Sequence, residues 1–250
     1  MYLNTKGLVI RVTPYNDTDA ILSVLTPNHG KLSVKARGLR RKNSPLIAPC
    51  QLLAYAEFTL FEYRGMYTVN EAASVELFSS LRKDLQKLSL GSYFALAAET
   101  MSQEDLPNPD LLSLVLNCLY ALSKLGLPEA MVKAVFELRS ACLCGYAPDL
   151  YGCYRCGCDY PDRFDITEGR LECGPCRDPQ SSGLRMPLTP GVLDAMRYIC
   201  VCDSRKLFSF SASADTLELL SSVTESYLST QLERGFSSLD FYKSLLIPLQ

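Results

Sequence analysis

The sequence is poor in side chains that do acid–base work at neutral pH, with a single histidine, His29, in 250 residues. It contains neither G-x-x-x-x-G-K-[ST] nor G-x-S-x-G, which excludes a phosphate-cradling loop and a serine elbow of those patterns. His29 falls in an expected turn and reads as a surface residue; Glu104 and Asp105 fall in a polar linker, where solvation accounts for them. No catalytic centre is expected. Long apolar runs are also missing. Leu111 to Leu122, the longest, is interrupted by Ser113 and Asn117, well short of the ~20 apolar residues of a membrane helix. Met1 to Arg11 lacks the apolar segment of a secretion signal, so a cytoplasmic protein is expected. In that reducing compartment the 11 cysteines read as thiols or metal ligands rather than disulfides, and their odd number fits. With 48% hydrophobic and 21% charged residues, the chain has a globular composition, and disorder over most of its length is excluded.

Charge of one sign is scarce in the whole chain, which has 25 basic and 27 acidic side chains, but not in its parts. Residues 1–80 carry nine basic and six acidic groups, and the remainder is acidic on balance. A polyanion would therefore meet the N-terminal region first. That region reads as strands: Gly7–Val12, Ala20–Leu25, Leu32–Lys35, Gln51–Phe61 and Met66–Leu77 are rich in Val, Ile, Leu and aromatics, with turn residues between them. Pro27-Asn28-His29-Gly30 joins the second and third as a hairpin. Five strands in about eighty residues favour a closed barrel that leaves no edge exposed, and the oligonucleotide-binding OB-fold is the preferred version. Lys31 to Lys42 holds Lys31, Lys35, Arg37, Arg40, Arg41 and Lys42 with no acidic residue. On a barrel this segment is a candidate phosphate-tracking surface; by itself it is equally a solvated loop. Tyr55, Phe58, Phe61, Tyr63 and Tyr67 lie on the following strands, where most rings pack inward and a minority could stack on bases.

From about Leu81 the apolar period changes to that of helices. Leu112, Val115, Leu116, Leu119 and Leu122 mark one buried face, and Pro128-Glu129 opens a helix that reaches Cys144, with Gly145 as its cap. A helix follows Pro190, and a last one spans about Ala212 to Arg234, with Gly235 expected to end it. Between these lies the sharpest local signal: Cys153 and Cys156, then Cys173 and Cys176, two C-x-x-C turns at the spacing of a four-cysteine zinc site. Two disulfides or a redox pair are the alternatives, opposed by the compartment and by the duplication. Four thiolates leave no open position, so zinc would staple a ribbon rather than catalyse. Cys158 could substitute for Cys156. Cys118, Cys142, Cys144, Cys200 and Cys202 lack paired spacing and read as packing residues, the last two with some chance of metal contact. The expectation is an α+β chain: an OB barrel at 1–80, a helical domain at 81–147 and 186–250, and a zinc-ribbon insertion at 148–185.

Several segments together carry a resemblance: TKGLVIR (Thr5–Arg11), TDAILSVLT (Thr18–Thr26), GKL (Gly30–Leu32), ARGLRRKNS (Ala36–Ser44), FELRSACLCGYAPDLYGCYRCG (Phe136–Gly157) and SSLDFY (Ser237–Tyr242). In this order they resemble the RecO family of bacterial DNA repair proteins, over nearly the whole chain. The resemblance implies a recombination mediator at the nucleoid that binds single- and double-stranded DNA, anneals complementary strands and helps load recombinase on strands covered by single-strand-binding protein. It implies a RecR-like partner and a helical domain that receives the acidic, hydrophobic tail of single-strand-binding protein. It also places DNA contact on Lys35, Arg37, Arg40, Arg41 and Lys42. Two other classes remain: an RNA-binding module, since basic grooves do not read the sugar, and a protein adaptor in which the basic loop is bystander charge.

Overall fold

The computed structural model describes residues 1–177 and 182–247. Residues 178–181 of the expected ribbon insertion and 248–250 of the expected helical domain lie outside the described residues. The contacts divide the chain into two compact units, Met1–Leu125 with Phe236–Gln250, and Gly126–Gly235.

The first unit opens with five strands: β1 (Tyr2–Pro14), β2 (Ala20–Leu25), β3 (Lys31–Ala36), β4 (Tyr55–Tyr63) and β5 (Met66–Glu76). They close into a barrel in the order β1-β2-β3-β5-β4, the Greek-key barrel expected of an OB-fold. Alternation sets which side chains fill it. In β3, Leu32, Val34 and Ala36 point inward, and in β4 Ala56, Phe58 and Leu60 do, so the intervening residues face out. β1 pairs with β4 through residues 2–8 and with β2 through residues 8–14. A register shift between Val9 and Arg11 lets it bend from one partner to the other, as a bulge does. Gly7 permits that passage, because a Cβ there would stand 2.4 Å from Val24 Cγ1. The β2–β3 hairpin closes as expected. Gly30 takes φ +62°, and a Cβ on it would meet the Leu106 backbone at 2.6 Å.

Two strands start several residues away from where the sequence places them. β1 begins at Tyr2 rather than Gly7, and β4 begins at Tyr55 rather than Gln51. The Gln51–Ala54 segment turns instead: Leu53 has φ 63°, and its N–H donates to the Val9 carbonyl at 2.9 Å. The loop after β3 returns Leu39 and Cys50 to the barrel core, where burial pushes the Cys50 thiol up to about 12.

The rest of this unit is helical: α1 (Leu85–Met101), α2 (Pro109–Tyr120) and, from the chain's far end, α6 (Ser237–Leu245). The Asp84 side chain caps α1 by accepting from the Gln86 and Lys87 amides, and Asn108 caps α2 by accepting from Leu111; such caps satisfy otherwise unpaired donors. Near its end, α1 presents Glu99 to the barrel wall. Arg11 Nε lies 2.8 Å from one carboxylate oxygen, and the Ser23 hydroxyl donates to the other at 3.0 Å.

In the second unit α3 (Glu129–Leu143), α4 (Pro190–Val201) and α5 (Ala214–Gln231) pack on one another, and a sheet is inserted in the chain between α3 and α4. Its strands are β6 (Asp149–Cys153), β7 (Arg163–Asp165), β8 (Arg170–Glu172) and β9 (Arg185–Pro187), in the order β6-β8-β7-β9. The helices expected from 81 to 147 are thus shared between the two units. The residue that takes a left-handed turn after α5 is Glu233, with φ 49°, not the expected Gly235. No helix among the described residues is long and apolar enough to cross a membrane.

Candidate nucleic-acid interface and metal centre

Strand register gathers four segments at one pole of the barrel. Pro14 pairs with Ala20, Ala20 with Ala36, Lys35 with Thr68, Tyr63 with Met66 and Tyr2 with Phe61. The β1–β2 turn, the loop after β3, the β4–β5 turn and the start of β1 therefore share one end. Asp19 ties the first two together. Its carboxylate accepts from the Gly38 N–H at 2.9 Å and lies 3.3 Å from Lys35 Nζ. The Gly38 bond, followed by those from Asn16, Thr18 and Lys35, holds Asp19 at about 2 against the opposing effect of burial.

The six candidate cations separate into three groups. Lys31 sits at the other end of β3, opposite Leu25, and donates to the Glu99 carbonyl at 3.2 Å. Lys35 is at the pole but held by Asp19, with its ammonium 4.5 Å from the centre of the Tyr15 ring. Arg40 is exposed yet anchored, donating from Nη1 to the Asn16 carbonyl at 2.7 Å while its backbone N–H donates to Thr18. Arg37, Arg41 and Lys42 are exposed and make no ion pair among the described residues.

Arg37 lines a groove of about 400 Å³ with Tyr2, Phe61, Tyr63 and Met66. These rings are open to solvent, Tyr2 at 62%, Phe61 at 40% and Tyr63 at 60% exposure, whereas Phe58 is buried. Tyr2 and Phe61 sit with centroids 5.3 Å apart, and the Arg64 guanidinium is 5.2 Å from the Tyr63 ring centre. Exposed rings beside unpaired cations match the two demands of a single strand, stacking for bases and charge for phosphates.

The second candidate site lies in the inserted sheet. Cys153 ends β6, Cys156 follows in its turn, and Cys173 and Cys176 bracket the turn after β8. Their four sulfurs lie within 4.8 Å of one another and could hold a metal ion. A tetrahedron with metal–sulfur bonds of about 2.3 Å has edges of about 3.8 Å, and Cys156 Sγ stands 3.8 Å from Cys173 Sγ. Local hydrogen bonds shape the two turns: the Cys153 N–H donates to the Cys158 carbonyl at 2.8 Å, and the Gly174 N–H to Asp162 at 2.7 Å. Burial opposes ionisation of Cys153, but backbone donors at Cys156, Arg155 and Cys173 outweigh it and bring that thiol to about 6. Burial and then the neighbouring thiols push Cys173 up. Cys158 is exposed and outside the cluster; its carbonyl serves the turn, and Cys156 supplies the sulfur.

The family models described as Recombination protein O N terminal and Recombination protein O C terminal match residues 1–78 and 82–240. The chain belongs to the RecO family. It is 35% identical to the DNA repair protein RecO of Acetivibrio thermocellus, covering 98% of this chain and 97% of that protein. It is 30% identical to that of Symbiobacterium thermophilum, covering 97% of each, and 29% identical to that of Alkaliphilus metalliredigens, covering 98% of this chain and all of the relative. Membership in the RecO family makes this a DNA repair protein whose partners belong to DNA recombination.

Sequence reasoning missed Tyr2 and Tyr15 in this RecO chain. Tyr2 was within reach, since Tyr2-Leu3-Asn4 extends the alternation of β1 backward. A buried network between α3 and α5 was missed as well. Lys133 is 3.0 Å from Glu137 and 2.9 Å from Glu225, and the Thr224 hydroxyl donates to Glu137 at 2.8 Å. Burial raises the Glu137 carboxyl, and Lys133 opposes that rise.

Proposed function

We propose that the chain is a recombination mediator without a catalytic centre of its own, which binds single- and double-stranded DNA at the barrel pole and anneals complementary strands. The observation that carries this reading is the groove in which Arg37 lies beside the exposed Tyr2, Phe61 and Tyr63 rings, with the exposed Arg41 and Lys42 following on the same loop. Annealing breaks no covalent bond; it requires that two polyanions be neutralised and held with their bases available. The free cations supply neutralisation, and the rings give unstacked bases a surface to rest on. Lys35 and Arg40, tied to Asp19 and Asn16, act mainly by fixing the loop that carries the others, and Lys31, at the other end of β3, ties that strand to the Glu99 carbonyl of α1.

In this reading Cys153, Cys156, Cys173 and Cys176 hold one zinc ion. When bound, zinc supplies a closed four-thiolate node that fixes the two turns, and no chemistry is routed through it. Division of labour follows the chain: the barrel at 1–80 for DNA, the helices at 81–147 and 186–250 for the single-strand-binding protein tail and a RecR-like partner, and the ribbon at 148–185 as a stabilising insertion. The chain would then assist recombinase loading on coated strands in the bacterial cytoplasm.

Two measurements test the reading. In a competition titration with matched oligonucleotides, DNA should displace labelled single-stranded DNA at lower concentration than RNA does; RNA displacing it equally well would move the assignment to an RNA-binding module. Tyr63→Ala should cost about 1–3 kcal/mol of single-strand binding, the worth of one stacked base, with duplex binding little changed. An equal loss on both forms would remove the stacking role.

A further inference from the structure

The last turns of α3 and α4 bring two thiols into contact that sequence reasoning left as separate packing residues. Cys142 Sγ lies 3.6 Å from Cys200 Sγ, across 58 positions of sequence. Arg139, three residues before Cys142, donates from Nη1 to the carbonyls of Ile199 at 3.1 Å and Cys200 at 2.6 Å. These carbonyls belong to the end of α4, where helical acceptors lack partners, so the guanidinium both caps that helix and fixes Cys200 beside Cys142. Neither thiol is sealed away. Both are half-buried, and both line a cavity of about 800 Å³ whose walls include Leu150, Tyr151, Tyr160 and Val201. By contrast, Cys50 and Cys118 are fully buried, and burial raises both thiols.

The pair is chemically unequal. Contact with Cys200 holds Cys142 below its ordinary value, with burial opposing and the Arg139 charge assisting. Cys200 is pushed up, first by the same contact and then by burial. The sulfur–sulfur contact lets either thiol ionise while its neighbour keeps the shared proton, the division between an attacking and a resolving thiol.

We propose that Cys142 and Cys200 form a reversible disulfide modification site addressed by hydrogen peroxide, distinct from the four-cysteine cluster. The Cys142 thiolate attacks one peroxide oxygen, the O–O bond breaks, and the departing hydroxide takes up a proton as water, leaving a sulfenic acid. Cys200 then attacks the Cys142 sulfur. The S–O bond breaks, the Cys200 proton leaves with the hydroxide as a second water, and the S–S bond forms. Two thiols and one peroxide thus give one disulfide and two waters; the sulfurs lose two electrons and the peroxide oxygens gain them. The bridge closes a loop containing β6–β9 and the four ribbon thiols, which the same oxidant attacks. A ribbon that loses its metal would then remain tethered at its base, with fewer open conformations available to it.

The test treats full-length, freshly purified protein with stoichiometric peroxide and maps the joined peptides by mass spectrometry without reduction. A cross-link between Cys142 and Cys200, with loss of two hydrogens and reversal by dithiothreitol, is the expected result. Cys142→Ser and Cys200→Ser should each abolish it, and Cys144→Ser and Cys202→Ser should leave it intact. Melting curves of all four identify any variant that fails to fold; the wild-type peptide map decides regardless of them. A dominant bridge through other cysteines, or oxidation of Cys142 to sulfinic acid with no bridge to Cys200, would overturn the proposal.

Discussion

In the barrel, the side chains that would meet a polyanion stand outside an apolar core built from Val9, Leu22, Val34, Phe58 and Leu60, whereas in the ribbon the candidate ligands themselves join the turns. Among its described residues the ribbon has little else. Its strands β7, β8 and β9 are three residues each, and its interior mixes Phe164 and Leu171 with the buried charges of Asp165, Glu172 and Arg185. Buried ions stabilise weakly once their desolvation is counted. The contrast teaches that a site displayed on a self-sufficient core can change without touching the fold, while a site that supplies the missing core cannot.

The largest expected effect breaks this comparison at the ribbon. A structural four-cysteine zinc site contributes binding free energy on the order of 10 kcal/mol to its local fold. Chelation, or Cys153→Ser, should therefore abolish amide-exchange protection across residues 149–187 while β1–β5 keep theirs. Equal loss in both regions, or in neither, would erase the distinction. A smaller effect separates the helices from the ribbon beside them. Lys133 is only 3% exposed and Glu137 fully buried, so Lys133→Met strands a carboxylate and should cost about 3–5 kcal/mol in urea unfolding. Replacing Glu137 by Leu in the same chain should restore most of that loss; no restoration would mean the pair acts through packing alone.

The smallest effect sharpens the barrel side. Asp19 titrates at about 2 in the folded chain against an ordinary 3.8, so its contribution is complete above about pH 4 and disappears as pH falls through 2. Between those values the melting temperature should fall more steeply for the native chain than for Asp19→Asn. Parallel curves would show that the carboxylate does not hold the loop.

Much of this was legible along the chain. Leu32, Val34 and Ala36 announced β3 by alternation, and the two C-x-x-C turns announced the cysteine cluster by spacing alone. What stayed hidden depends on partners distant in sequence. Nothing near Lys31 or Arg40 indicates that Glu99 and Asn16 occupy them, so a run of six cations looked uniform when only Arg37, Arg41 and Lys42 stand free of such ties. Phe58 and Phe61 differ by an odd number of positions, and the pleat sends one ring to the core and the other to solvent. Glu225 joins Lys133 across 92 positions, a closure that α-helical periodicity marks only as an apolar face interrupted by charge. Cys142 and Cys200 likewise meet only because α3 and α4 end side by side.

The most direct test of the central claim is the salt dependence of single-strand binding, measured for the native chain, for Arg37→Glu/Arg41→Glu/Lys42→Glu, and for the native chain after chelation. Each phosphate contact on a single strand contributes about 0.7 to the slope of log K against log salt. The triple reversal should flatten this slope by about two or more with the melting curve unchanged, and chelation should leave the slope as it was. A slope unaffected by the reversal but lost on chelation would contradict the central claim, moving the phosphate contacts from the barrel to the ribbon.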